Sequence, residues 1–227
     1  AYPGRSRLSP TVPAKFSLQA QKNSQKRTIS VTTMVEHFAD QQVKSATKKE
    51  SDVEVVLSRV QRAQHGVMVH RLFEILSSGS GSGSLSVAER DSLLKRWFSQ
   101  DDVSDVEKAL QFVESLQTPP MKTLLASGHA EWGFLSCWHN YIVEGQVDLW
   151  GEVGGHIWII DYKTGNSRYA DRAFQQLAIY GKVLAKKNPG KPISLATVYP
   201  IEQKVEVREM AKMAEFLAQV ETSLLER

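Results

Sequence analysis

One change of period constrains this chain more than any other feature. From Ala130 onward, β-rich runs occupy 131–138, 141–150 and 156–163, separated by His139-Asn140 and by Gly151-Glu152-Val153-Gly154-Gly155. Connections that short join neighbouring antiparallel strands, so the three runs predict a meander. The pattern then turns helical. Phe174, Leu177, Ala178, Gly181, Leu184 and Ala185 fall on one stripe over 171–187, and Pro189-Gly190 closes it. Strands are predicted over 193–199 and 204–210, and an amphipathic helix over 211–226. The expectation is an α/β fold whose central mixed sheet, an antiparallel meander plus a crossover helix, is flanked by helices.

Upstream the signals are helical. Thr33 and Glu36 have capping-box spacing ahead of Met34, Val35 and Phe38. Further helices are predicted at 51–62, 86–99 and 104–117, the last opened by a second capping box, Ser104 and Glu107, and followed by Pro119-Pro120. Residues 1–29 carry Pro3, Pro10 and Pro13 with Lys15, Lys22, Lys26 and Arg27. They read as a basic arm that wraps the domain, leads in from an upstream one, or is a solvated leader, which leaves 30–227 as the domain proper. Residues 77–84 are Gly and Ser alone, a flexible coil. The expectation is an engineered linker in place of a loop, with no functional weight.

Composition narrows the classes. With 227 residues, 41% hydrophobic and 23% charged, the chain has the make-up of one globular domain plus an arm, which excludes wholesale disorder. No apolar run approaches the roughly 18 residues of a membrane span. The 28 Lys and Arg against 25 Asp and Glu leave +3, which permits nucleic-acid binding without demanding it. The single cysteine, Cys137, cannot supply an internal disulfide or the four thiolates of an iron–sulfur cluster. The chain therefore reads as intracellular. It lacks an initiating Met and a signal-like segment, so it is expected to be a piece of something longer.

The chemistry gathers around Asp161-Tyr162-Lys163, at the end of the apolar run Ile157-Trp158-Ile159-Ile160. Residues i and i+2 of a strand share a face, so Asp161 and Lys163 project together. The preceding strand alternates, with Tyr141, Val143, Val147 and Leu149 one way and Glu144, Gln146 and Asp148 the other. A turn between Asp148 and Asp161 can set the two carboxylates side by side. They would repel and raise one pKa, a cost that a hard divalent cation such as Mg²⁺ or Mn²⁺ removes. Asp-x-Lys alone is a common surface tripeptide, so its company matters. His70 and Glu74 stand at i, i+4 in the apolar segment Gly66-Val67-Met68-Val69-His70-Arg71-Leu72-Phe73-Glu74, and Gln176 and Tyr180 stand one turn apart downstream.

Taken in order, Gly-x-x-x-His-Arg-x-x-Glu, Gly145-Gln146-Val147-Asp148, Ile160-Asp161-Tyr162-Lys163-Thr164-Gly165 and Gln-x-x-x-Tyr resemble the RecB-type nuclease domain of the PD-(D/E)XK superfamily. The likeness runs from about Ser30 to Met210 and is closest to the C-terminal nuclease domain of AddA/RecB helicase–nucleases. Glu131-Trp132-Gly133-Phe134 is similar to the strand that precedes that family's metal aspartate. One branch carries a four-cysteine iron–sulfur cluster, which Cys137 alone cannot build. The resemblance implies that His70, Asp148, Asp161 and the Tyr162 carbonyl hold Mg²⁺ or Mn²⁺ and that Lys163 orients the attacking water. It also implies that Gln176 and Tyr180 position the strand and brace the catalytic motif. Arg71, Arg168 and Arg172 are expected as further DNA contacts, with the basic arm as an addition. Glu74 and Glu144 would touch the metal or its ligands, or merely form structural ion pairs.

The implied activity is metal-dependent hydrolysis of DNA, preferably single-stranded, in a bacterial cytoplasm. The implied partners are a helicase domain of the same chain and a second helicase–nuclease subunit, in double-strand-break repair. The alternative is a nuclease-like scaffold that binds DNA or protein without cutting. Degenerate scaffolds of that kind usually lose an acidic ligand or the lysine, and neither is lost here. Gly-x-Ser-x-Gly, P-loop, Gly-x-Gly-x-x-Gly and Cys/His zinc patterns are all missing from the sequence.

Overall fold

Two tight turns build the centre of the molecule. The computed structural model describes residues 26–42, 66–69, 71, 86–116 and 118–225. Strand β1 is Arg27–Ser30, β2 is His129–Trp138, β3 is Tyr141–Val153, β4 is His156–Tyr162, β5 is Ile193–Tyr199 and β6 is Lys204–Glu209. His139 and Asn140 turn β2 into β3, and Gly154 and Gly155 turn β3 into β4. Both glycines have positive φ, +60° and +80°, which the favoured two-residue hairpin turn requires and side chains resist. The turn expected over 151–155 is thus shorter, and β3 runs on through Gly151 and Glu152 to Val153.

The six strands make one mixed sheet in the order β1-β3-β4-β5-β6, with β2 on β3. The meander is antiparallel, β4 and β5 are parallel, and β6 returns antiparallel. Helix α5 (Ala170–Lys187) is the crossover between β4 and β5, as the change of period predicts. Strand β1 is the departure from the expected arm. Its four residues pair parallel with β3 from Arg27↔Tyr141 to Ser30↔Glu144, because a short extended segment can complete an open sheet edge without a long hydrophobic signal.

Helices cover both faces. The remaining helices are α1 (Val31–Gln42), α2 (Val87–Trp97), α3 (Gln100–Ser115), α4 (Pro119–Ser127) and α6 (Ala214–Leu225). Met34, Phe174, Leu177, Leu184 and Val220 from α1, α5 and α6 pack with Ile157, Ile159 and Leu195 in one core. Leu94, Leu110 and Leu124 from α2, α3 and α4 pack with Ile160, Ala196 and Val198 in another. The switch from odd to even positions along β4 and β5 is the period of two expected of strands buried on both sides. Every residue of β5 is buried.

Several caps differ from the expected ones. Helix α1 starts before Thr33: the Ser30 hydroxyl accepts the Thr33 N–H at 3.1 Å, and Glu36 reaches Arg172 instead. Helix α3 is capped at Ser99, whose hydroxyl accepts the Asp102 N–H, five residues ahead of Ser104. A capping box does form at Ser86 and Glu89, opening α2. Pro119-Pro120 opens α4 rather than merely ending its predecessor, since proline is suited to the first helical turn, where N–H groups lack partners anyway. The expected helix at 51–62 and the Gly/Ser tract at 77–84 lie outside the described residues. Among the described residues, no helix is long and apolar enough to cross a membrane.

Candidate active site

Hairpin symmetry brings the acidic residues together. Each two-residue turn pairs residues equally distant from it, so Asp148, eight residues past Asn140, falls opposite Glu131, eight before His139. It also falls opposite Asp161, because Asp148 is six residues before Gly154 and Asp161 six after Gly155. Both ladders yield at this level. The β3–β4 ladder stops at Leu149↔Ile160, and Asp148 Oδ2 accepts the Tyr162 N–H at 2.8 Å. The β2–β3 ladder skips Glu131 alone, where the backbone turns to φ +49°. Strands β1 and β4 meet β3 on either side of residues 145–148. The sheet is split there, and side chains serve the opened backbone.

Asp161 and Lys163 form the second element. The Lys163 ammonium lies 3.0 Å from Asp161 Oδ1 and 2.9 Å from Oδ2. Asp161 Oδ2 is buried and, despite that ion pair, makes no hydrogen bond. The ammonium also donates to Gln176 Oε1 at 3.2 Å, and Gln176 Nε2 donates to the Tyr180 hydroxyl at 2.6 Å. Tyr180, 3% exposed, additionally takes a backbone hydrogen bond from Gln146. A continuous relay therefore links Asp161, Lys163, Gln176, Tyr180 and the split edge of β3. One turn of α5 separates Gln176 from Tyr180, which is why an otherwise uninformative spacing matters.

Gly145 is the steric key. A Cβ there would stand 2.8 Å from both Tyr180 Cε1 and Phe134 Cζ, whose rings meet edge-on at 5.7 Å. Only a residue without a side chain lets Tyr180 approach the strand.

The electrostatics are those of crowded acids. Burial, then Asp161, pushes the Asp148 carboxyl well above the usual carboxylate range, with a smaller contribution from Glu131; the Tyr162 N–H and Lys163 pull it back only in part. Burial alone would lower the Lys163 pKa, but Asp161 and Asp148 outweigh it and raise it. Lys163 is thus a firm cation at neutral pH. Burial raises the Tyr180 phenol further still, so it stays protonated. Two adjacent carboxylates, one of them buried with a single ammonium for partner, are a donor set that fits a hard divalent cation.

The remaining expected site residues are more dispersed. His70 and Glu74 lie outside the described residues. The helical residues 66–69 abut the motif, since a Cβ on Gly66 would meet Thr164 Oγ1 at 3.1 Å. Arg71 is exposed at the end of that segment. Arg168 is exposed and stacks over the Tyr169 ring at 4.6 Å. Arg172 extends from α5 to Glu36 of α1 at 3.3 Å. Glu144 is exposed opposite Ser30, four residues or about 13 Å along the strand from Asp148, away from the acidic pair. Among the described residues, no three His, Cys, Asp or Glu side chains converge as a metal cluster.

Glu131 was not among the expected site residues. Its side chain accepts from Gln146 Nε2, and its charge reaches Asp148. The hairpin symmetry about His139-Asn140 is the sequence signal that finds it.

No curated protein matches the chain. A family model does match, over residues 34–227, and its description is the PD-(D/E)XK nuclease superfamily.

Proposed function

The chain belongs to the PD-(D/E)XK nuclease superfamily, and on that premise we propose that it is a divalent-metal-dependent deoxyribonuclease acting on single strands. Nuclease chemistry and a divalent metal come with the family. The substrate and the residue roles are our reading. The observation that carries it is the meeting of Asp148 and Asp161 at the split of β3 and β4, with Lys163 clamped to one of them.

Asp148 and Asp161 would hold Mg²⁺ or Mn²⁺, joined by His70 and the Tyr162 carbonyl. A cation bound there supplies a Lewis acid for a phosphate oxygen and lowers the pKa of its water. Hydrolysis bonds the water oxygen to phosphorus, breaks the phosphorus–oxygen bond of the strand, and leaves one water proton on the departing oxygen. Lys163 stays protonated, so its role is to donate hydrogen bonds to the water or to the phosphate oxygens that gain charge. Gln176 and Tyr180 fix the direction of that ammonium, and preorganisation of this kind is what makes a single cation effective. Glu131 holds Gln146 and adds to the charge that makes the acidic pair attract a cation. Arg71, Arg168 and Arg172 would contact the strand.

A helicase domain of the same chain, with a second helicase–nuclease subunit, would deliver separated strands in double-strand-break repair in a bacterial cytoplasm. The test is a time course on labelled single-stranded, blunt and forked DNA in Mg²⁺ or Mn²⁺. We expect single strands to be degraded while blunt duplex resists, with little sequence preference. Faster cleavage of blunt duplex would overturn the helicase-coupled reading.

A further inference from the structure

A cavity of about 250 Å³ opens beside the catalytic lysine, and neither aspartate lines it. Its wall includes Val35 of α1, Lys163, Asn166 and Tyr169 after β4, and Arg172 and Gln176 of α5. The volume falls below the roughly 300–1,000 Å³ of pockets that engulf drug-sized ligands, and suits one flat ring system. Tyr169 is 61% exposed, whereas Tyr141, Tyr162, Tyr180 and Tyr199 are buried. Its ring is held by the Arg168 guanidinium at 4.6 Å. The turn that presents it is fixed as well: Asn166 Oδ1 accepts the Arg168 N–H at 2.9 Å, which leaves the Asn166 amide NH₂ as a donor. An aromatic face, a small apolar floor, an amide donor and two cations thus share one cavity.

We propose that this cavity is a nucleobase subsite that takes one unpaired base of the substrate strand, stacked on Tyr169. Arg172 then faces a flanking phosphate of that nucleotide, while Lys163 meets the scissile phosphate only as charge develops on it. The inference rests on the nuclease reading and deepens it, because a base still paired in a duplex cannot enter. Stacking is tolerant of sequence, since every base has a π-face. Strand selectivity without base selectivity follows.

The test is binding of a single-stranded oligonucleotide in Ca²⁺, which is expected to hold the complex without turnover, with one abasic site moved along the strand. At one position the wild type should lose about tenfold in affinity, within the range for one base–aromatic stack. Tyr169→Ala should weaken the intact strand by the same factor and lose the abasic sensitivity, while Tyr169→Trp keeps both. Because Tyr169 is exposed, the melting temperature should be unchanged in either variant. Equal abasic sensitivity in wild type and Tyr169→Ala, or none at any position, overturns the subsite while leaving the nuclease reading standing. A wild type that cuts no single-stranded DNA in Mg²⁺ or Mn²⁺ overturns both.

Discussion

Replacing Gly145 by Ala tests the relay without touching an acidic or basic group. The new Cβ would sit 2.8 Å from Tyr180 Cε1 and 2.8 Å from Phe134 Cζ, where ordinary contact begins at 3.4 Å. Each ring must therefore retreat by about 0.6 Å, the difference between those distances, if the strand holds still. The backbone itself is not strained, since Gly145 is not among the residues with positive φ. Overpacking costs roughly 1–3 kcal/mol, offset by about 0.4–1 kcal/mol because Ala restricts the unfolded chain. From the middle of each range the net loss is about 1.3 kcal/mol, which for a chain of this size lowers the melting temperature by about 3–5 °C. The catalytic effect should be larger. Tyr180 carries the 2.6 Å bond that aims Gln176, and Gln176 aims Lys163. We expect kcat to fall at least tenfold with KM nearly unchanged, as misplacement of a catalytic group predicts. Phe134→Leu, by removing part of the collision, should recover some of both losses, a coupling expected only of touching groups. The assay is thermal melting beside steady-state cleavage of a labelled single strand. A Gly145→Ala protein with unchanged melting temperature and unchanged kcat would refute the steric argument.

Three further outcomes follow from the same geometry. Asp148 binds its proton more tightly folded than unfolded, so its contribution to stability is full at acid pH and is lost as pH rises through the folded value. Metal-free Asp148→Asn should therefore melt above the wild type at neutral pH, with the gap closing in acid, while Mn²⁺ raises only the wild-type melting temperature strongly and cleavage by the variant is abolished. Lys163→Ala should lower the rate about 10²–10³-fold with little change in DNA affinity measured in Ca²⁺; collapse of affinity at an unchanged rate per complex would make it a DNA contact instead. Because Glu131 adds to the charge that raises Asp148, Glu131→Gln should move the acidic limb of the pH–rate profile to lower pH, and an unmoved limb would separate Glu131 from the site.

Much of the sheet was legible because its signals are local. Short turns mark β2, β3 and β4, alternation marks β3, apolar runs mark β4 and β5, and the apolar stripe of α5 marks the crossover. The structure departs from expectation where two local signals compete. Ser30 and Thr33 both precede an apolar helical run, and the hydroxyl that meets an N–H decides the cap. Pro119-Pro120 can stop one helix or start the next, and only the packing of Met121 and Leu124 into a core selects the start. Strand β1 has four residues and no alternation of its own. What makes it a strand is a vacant edge on β3, more than a hundred residues away in sequence.

The site divides along the same line between what is local and what is not. Asp161 and Lys163 share a face by strand period, and Gln176 and Tyr180 share one by helical period, so each pair can be read from the chain. Their joining cannot be read that way, because Lys163 meets Gln176 only once α5 lies across β4. The register that unites Asp148, Asp161 and Glu131 is intermediate, since it depends on knowing that both turns have two residues. By the same counting, a five-residue turn over 151–155 would set Asp148 opposite Trp158 rather than Asp161. The two-residue turn at Gly154 and Gly155 fixes the register. One backbone choice at a pair of glycines thus decides whether two acids end up side by side or a strand apart. Crowding those acids raises the pKa of Asp148, and relieving it is what a divalent cation would do.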